Sequence, residues 1–460
     1  MVKHSSKIKI MAAYLLAGAM AAGAQAFPWS QSPPGKLAAA RVPMFVVFGF
    51  DDNARVEGVQ WFANLVRNRK NPAGTGNHQT YDGLPIRSTW FLTGNYIHSE
   101  GFINAGNQTL SDLISSWKGL YNDGHEIANH TWSHPHGSGL DLEAWKNEVR
   151  KTTDHLASTL GISADKIKGF RTPYLEYTPT TLSALKDLGF QYDASIEFGF
   201  NGWQPLPGDS GNWNGMTNPE THKKLFWPYT LDAGSPPGNA SKGNPTIPGL
   251  WEVPVNTFLK SDNSGEVTGF DFNLWKISTK EQFVAALKYN FDLRRAGNHA
   301  PLTVNVHSDY YTQYNDDANK EFTFADWKQR QQGMEEFLEY ILTFPETRIV
   351  SYKDMIAWMK NPVPMGGAAG FGVSDASLAT AALSLKTAPG GALELSLPAP
   401  GSYRLSVFSP QGRLEASLAR RFEAGKARVS FGRNLRAGVY FVELGNGVNQ
   451  VRRKVVLTPL

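Results

Sequence analysis

The chain has 460 residues, 41% of them hydrophobic and 19% charged, which excludes disorder throughout and leads us to expect two or three folded domains. It contains no cysteine, so disulfides, iron–sulfur clusters, thiolate zinc sites and a cysteine nucleophile are excluded, and any metal must be held by His, Asp or Glu. The formal net charge is +4, but residues 371–460 hold twelve Lys/Arg against five Asp/Glu, which leaves the main body acidic and disfavours nucleic acid as a partner.

Lys3, Lys7 and Lys9 precede an apolar run from Ile10 through Ala22 that ends at Ala24-Gln25-Ala26. A positive start, a short apolar core and a small-residue site predict a signal peptide over 1–26, cleaved before Phe27. The run is shorter than the ~20 residues a bilayer span needs, and Gly18 and Gly23 break it. No membrane span is expected, and the mature chain is expected to be secreted or held at the cell surface or in the periplasm.

Over 27–361, strand-like runs then alternate with helical patterns. Phe45-Val46-Val47-Phe48 is continuously apolar, the type of strand buried on both faces of a parallel sheet. Helical spacing follows around Trp61, Leu65 and Val66, then a strand at Ser88–Leu92, a helix from Leu110 to Tyr121, and a strand at Glu126–Asn129. The clearest helix places Trp145, Val149, Thr152, Leu156 and Leu160 on one face, with Asp141 as N-cap and Gly161 as the stop. Strands at 168–170, Tyr192, 251–255, 302–306 and 348–350 alternate with helices at 180–189, 283–295 and 327–342. The repeat predicts an α/β domain, a distorted or incomplete (β/α) barrel, with an open doubly wound sheet as the alternative.

Residues 199–250 break the rhythm with Gly, Pro and Asn and carry Trp203, Trp213 and Trp227, which either stack on sugar rings or pin the segment to the body. Pro362, Pro364, Gly366, Gly367 and Gly370 mark a linker over 362–377. Short β-type runs at 392–397, 403–408, 427–431, 439–444 and 453–457 predict a small all-β sandwich over 378–460.

Four short motifs sit at or just after the ends of predicted strands, where a barrel would gather them on one face. They are Phe50-Asp51-Asp52, His130-Thr131-Trp132-Ser133-His134, Arg171-Thr172-Pro173-Tyr174 and His307. Singly each has a bland reading: a helix cap, two surface histidines, a surface charge, a hydrogen-bonded core histidine.

In this order the motifs resemble the polysaccharide deacetylases, carbohydrate esterase family 4, over roughly residues 41–361. The stretches Ser88–Gly94 and Gly124–His130 are similar to that family's framework, and Trp227–Asp232 and Leu250–Pro254 to its chitin deacetylase branch. The resemblance implies a divalent metal, zinc first, on Asp52, His130 and His134. It also implies Asp51 as general base, Arg171 as its charged partner, the Tyr174 backbone N–H in the oxyanion site and His307 as general acid. The implied substrate is an acetylated polysaccharide, chitin or its oligomers first. Acetylated xylan, peptidoglycan and a non-catalytic glycan-binding protein on the same fold stay open. Gly49 stands where the family usually has Thr. The family's Asp that tunes the acid histidine has Asp193 and Asn256 as candidates. The tail segments Ser409–Gly412, Gly438–Phe441 and Lys454–Leu457 resemble C-terminal sorting domains of some bacterial secreted proteins, implying attachment to the cell envelope or export.

Overall fold

The run Met44–Asp51 (β1) has no polar residue before Asp51, and all eight of its residues are buried. Its alternate side chains enter two different cores. Met44, Val46, Phe48 and Phe50 pack outward against helices, while Phe45 and Val47 face inward with Phe91, Tyr192 and Tyr352. A strand buried on both faces needs neighbours on both edges. In the computed structural model β1 pairs in parallel with Thr89–Leu92 (β2), Leu302–His307 (β12) and Thr347–Ile349 (β13). The structure describes residues 26–104, 106–198, 222–236, 245–262, 264–318 and 322–366, and then 384–388, 392–397, 401–409, 413–423, 425–429, 438–445 and 450–457. The expected signal peptide, Trp203, Trp213 and most of the expected linker lie outside the described residues. The chain divides into two units, Met1–Gly367 and Ala368–Leu460.

In the first unit the remaining strands are Glu126–Asn129 (β3), Gly169–Phe170 (β4), Tyr192–Asp193 (β5), Glu197–Phe198 (β6), Tyr229–Thr230 (β7), Trp251–Glu252 (β8), Val255–Asn256 (β9), Phe258–Leu259 (β10) and Glu266–Val267 (β11). Nine of the first unit's described strands form one sheet in the order β12-β1-β2-β3-β4-β5-β8-β7 with β13 on β1; only the β7–β8 pair in it is antiparallel. Four parallel steps, β1 to β5, are crossed by helices Val56–Val66 (α1), Leu110–Asn122 (α2), Leu142–Leu160 (α3) and Pro179–Asp187 (α4). Asp141 caps α3 by accepting the Ala144 N–H, and Gly161 ends it at φ 71°, as the spacing predicts. Asp271–Trp275 (α5), Lys280–Ala296 (α6), Gln313–Ala318 (α7), Trp327–Leu342 (α8) and Tyr352–Lys360 (α9) complete the layer.

The sheet curls until β12, at one end, meets the segment that follows β8, near the other, without a regular ladder between them. Thr303 on β12 donates its hydroxyl to the Pro254 carbonyl at 3.1 Å and accepts the Asn256 N–H at 3.2 Å. An open doubly wound sheet would hold these edges apart. The architecture is therefore the incompletely closed (β/α) barrel. Trp227, the described member of the insertion's tryptophans, is 1% exposed and stacks near Trp358, so it pins the chain to the body.

In the second unit, strands Ser384–Ala388 (β14), Ala392–Leu397 (β15) and Gly425–Val429 (β18) form one antiparallel sheet. Leu414–Phe422 (β17), Gly401–Phe408 (β16), Gly438–Gly445 (β19) and Gln450–Leu457 (β20) form another, in that order. Leu393 and Leu395 of the first sheet share a core with Leu405, Val407, Val442 and Leu444 of the second, which makes a β-sandwich.

Candidate metal centre and active site

Parallel strands in register bring their C-terminal ends to one rim. Asp51, the last residue of β1, lies opposite His307, the last of β12. His130 follows β3 and Arg171 follows β4, and the Arg171 N–H reaches the Asn129 carbonyl at 3.2 Å. All of the motifs read from the sequence meet here.

Asp52, His130 and His134 offer ligand atoms that all lie within 4.8 Å of one another. The Asp52 Oδ1 is 3.3 Å from His134 Nε2 and 3.8 Å from His130 Nε2. His130 Nδ1 lies 2.8 Å from the Arg171 carbonyl oxygen. A carbonyl only accepts, so the proton sits on Nδ1 and the lone pair of Nε2 faces Asp52. Burial and then the neighbouring His134 hold the His130 imidazole neutral, with its pKa pushed down to about 3. Two imidazole nitrogens and a carboxylate oxygen are a donor set suited to a divalent metal.

Asp51 is 3% exposed and Arg171 is fully buried. The Arg171 Nη1 donates to Asp51 Oδ1 at 2.8 Å, Nη2 donates to Asn305 Oδ1 at 2.6 Å and to the Tyr352 hydroxyl at 2.8 Å, and Nε donates to the Ala194 carbonyl at 2.8 Å. Burial opposes the guanidinium charge, but Asp51 and Tyr352 outweigh it and raise the Arg171 pKa above its ordinary value. Gly49 has its reason in this packing. A Cβ there would lie 3.0 Å from the Tyr352 hydroxyl and 3.1 Å from Arg171 Nη1, so the side chain that the family usually carries would crowd the guanidinium.

His307 corrects one expectation. Its partner is neither Asp193 nor Asn256 but Asp271, the first residue of α5. Asp271 Oδ1 is 3.0 Å from His307 Nδ1, and Oδ2 accepts the His307 N–H at 3.1 Å. Asp193 instead accepts the Ser195 hydroxyl at 2.7 Å, and the Asn256 Oδ1 is 3.3 Å from Thr303 Oγ1. Burial pulls the His307 pKa down, but the hydrogen bond and charge of Asp271, with Asp51 and Asp52 adding, carry it up to about 9. His307 is therefore an imidazolium at neutral pH.

Nine non-glycine residues among those described have positive φ, and six of them, Asp52, Asn53, Thr131, His134, Tyr174 and Leu175, belong to these motif loops. Each such residue costs on the order of 1–3 kcal/mol and persists only where its surroundings over-determine it. Here Asn53 donates to the Phe50 and Phe91 carbonyls at 3.0 and 3.2 Å, and Asp309 accepts the Ala54 and Arg55 N–H groups at 3.1 and 2.9 Å. Glu148 of α3 accepts the Trp132 and Ser133 N–H groups at 2.9 and 2.8 Å, which fixes the loop between the two histidines. Asp51, Asp52, His130, His134, Thr172, Tyr174 and His307 line one cavity of about 270 Å³, walled on its apolar side by Leu175, Phe270 and Phe272.

Three polar partners escape the sequence reading: Asp271, Asn305 and Tyr352. Asn305 had a signal, as a polar residue on the inward-facing side of a buried strand, and so did Asp271, an acid set between Phe270 and Phe272. Tyr352 had none.

Residues 80–192, which hold His130, His134, Arg171 and Tyr174, match the family model described as polysaccharide deacetylase. "Chitin deacetylase 8" of Bombyx mori is 26% identical over 345 residues, 73% of this chain and 75% of the relative. Among solved structures, a family 4 carbohydrate esterase from Streptomyces lividans in complex with acetate is 22% identical, covering 39% of this chain and 73% of that one, with a TM-score of 0.25. The Xyl-CE4 domain of a multidomain xylanase from the hindgut metagenome of Trinervitermes trinervoides is 12% identical, covering 70% of this chain and 93% of that one, with a TM-score of 0.34. With its motifs gathered at one barrel rim, the chain carries in residues 80–192 a match to the polysaccharide deacetylase domain and is similar to a chitin deacetylase over 73% of its length.

Proposed function

We propose that the protein is an exported, metal-dependent hydrolase that releases acetate from N-acetylglucosamine-containing polysaccharide, chitin or its oligomers first. The observation that carries this reading is the convergence of Asp52, His130 and His134 within 4.8 Å on a cavity that Asp51 and His307 also line. Their donor set fits a catalytic zinc site, and the His130 tautomer leaves Nε2 free for a cation. When bound there, a divalent metal, zinc first by donor chemistry, would supply a water acidified to a pKa of roughly 7 and a Lewis acid for the acetyl carbonyl.

The chain's own groups then divide the proton work. Asp51, oriented by the hydrogen bond from Arg171, accepts the proton of the attacking water. The Tyr174 backbone N–H holds the developing oxyanion. His307 enters as imidazolium and gives its Nε2 proton to the departing amine as the C–N bond breaks, leaving acetate and a free amino sugar. Leu175, Phe270 and Phe272 keep bulk water from the reacting atoms.

The basic n-region and short apolar run before Ala26 support export. Among the described residues no helix is long and apolar enough to cross a membrane. Residues 371–460 contain no histidine, which supports an attachment or export role for the sandwich rather than catalysis.

The reading is tested by acetate release from chitin oligomers and from acetylated xylan. Release from the oligomers is expected, falling by a factor on the order of 10²–10⁴ in Asp51→Asn. Release from xylan alone, or undiminished turnover in Asp51→Asn, would overturn it.

A further inference from the structure

The loop after His134 carries another imidazole, one that the hydrolytic scheme does not use. His136 lies face to face with Tyr174, ring centroids 4.2 Å apart at 9°, and its Nδ1 is 3.2 Å from each carboxylate oxygen of Glu176. Glu176 Oε2 also accepts the Gly137 N–H at 2.9 Å. A Cβ on Gly137 would meet the Glu176 carbonyl oxygen at 1.8 Å, so the histidine loop and the Tyr174 loop touch backbone to backbone and a glycine is required there. The His134 ring meets Tyr174 at 4.6 Å and 73°. Tyr174 is thus held by two imidazoles, yet it stays 56% exposed at the cavity it lines.

A large aromatic that is both immobilised and open to solvent has already lost its rotamer freedom, so a ligand that stacks on it meets little further entropic cost. The apolar C–H face of a pyranose is such a ligand, and the site's reading as a glycan deacetylase, on which this inference rests, puts one beside it. We propose that the open ring surface of Tyr174 seats the sugar of the substrate, and that His136 and Glu176 brace it. The trio then selects sugar-borne acetyl groups over small acetyl compounds. The ring does this separately from the backbone N–H of the same residue. His136 and Glu176 are positioning residues, acting through Tyr174.

Steady-state kinetics on chitin tetramer and on 4-nitrophenyl acetate test the brace in the full chain. His136→Ala is expected to raise the tetramer KM roughly three- to tenfold, the range for losing one aromatic contact, with aryl acetate hydrolysis unchanged. His136→Phe keeps a stacking ring and is expected to return the tetramer KM to within about twofold of the wild type. Equal losses on both substrates, an unmoved tetramer KM, or no rescue by Phe overturns the proposal. Tetramer binding by calorimetry in an Asp51→Asn background separates this inference from the reading beneath it. Weaker binding with His136→Ala supports the brace even if the wild type releases no acetate. Equal binding removes the brace even if it does.

Discussion

Asp271→Asn isolates the group that makes His307 an acid. The substitution keeps an oxygen within reach of the His307 Nδ1–H, now at 3.0 Å, but removes the negative charge beside it. In the native protein burial favours neutral imidazole, and Asp271, helped by Asp51 and Asp52, reverses that preference and moves the pKa from 6.5 to about 9. The difference corresponds to about 3 kcal/mol in favour of the protonated form. Because the folded pKa is raised, the stability that His307 contributes is fully present below 6.5 and is lost as pH rises through about 9. With the charge gone, the pKa should fall back toward its ordinary value, since burial is then opposed only by the weaker contributions of Asp51 and Asp52. A fall to about 6.5 leaves roughly 3% of His307 protonated at pH 8 in place of roughly 90%. Turnover of chitin oligomers at pH 8 should then drop about thirtyfold, while at pH 6 it should stay within about twofold. The assay is kcat against pH for acetate release by wild type and variant, with thermal unfolding as the control for folding. An alkaline limb that stays near pH 9 in Asp271→Asn would refute the assignment of both the acid and its tuning partner.

Gly49→Thr restores the side chain that the family usually carries, but its Cβ would lie within 3.0–3.1 Å of Phe91, the Tyr352 hydroxyl and Arg171 Nη1. It should cost about 1–3 kcal/mol by overpacking and lower kcat by displacing Arg171 from Asp51, with Gly49→Ala milder; denaturant unfolding within error of the wild type would contradict this. Asp82→Asn strips the partner from Arg348, a pair 1% and 0% exposed near the N-terminal end of β1. An unpaired buried guanidinium predicts a loss of about 3–5 kcal/mol in unfolding experiments with activity per folded molecule unchanged, and a stable variant would show that the pair is relaxed by solvent.

The barrel was legible where burial fixes composition. β1, α3 and α8 lie where apolar runs and periodicity place them, because a strand covered on both faces and a helix covered on one leave their pattern in the residues. The sandwich shows the converse. β14 and β17, which the β-type runs omitted, are the outer strands of their sheets. Leu414–Phe422 reads Leu-Glu-Ala-Ser-Leu-Ala-Arg-Arg-Phe, with Ala, Glu and Arg at positions that an interior strand would give to β-branched residues. An edge strand half open to water has little reason to look like a strand, and charge on it discourages pairing with other chains.

The site divides along a similar line. Asp51, Asp52, His130, His134, Arg171 and His307 could be read from the sequence because their motifs sit at or just after strands' C-terminal ends, and parallel register makes chain position a proxy for place. Asp271 has no such anchor. It reaches His307 from a five-residue helix after two short β-pairs, and only tertiary packing at the isolated bridge between Phe270 and Asn305 sets its place. Asn305 joins the two halves of the chemistry: its Oδ1 accepts from Arg171, which holds the base, and its backbone bridges to the segment that carries the acid's partner. Asn305, on the strand where the barrel closes without a regular ladder, thus links the groups that hold base and acid. Such a seam leaves backbone and side-chain donors free to hold catalytic groups, and that gives the incomplete closure of this barrel a chemical reason.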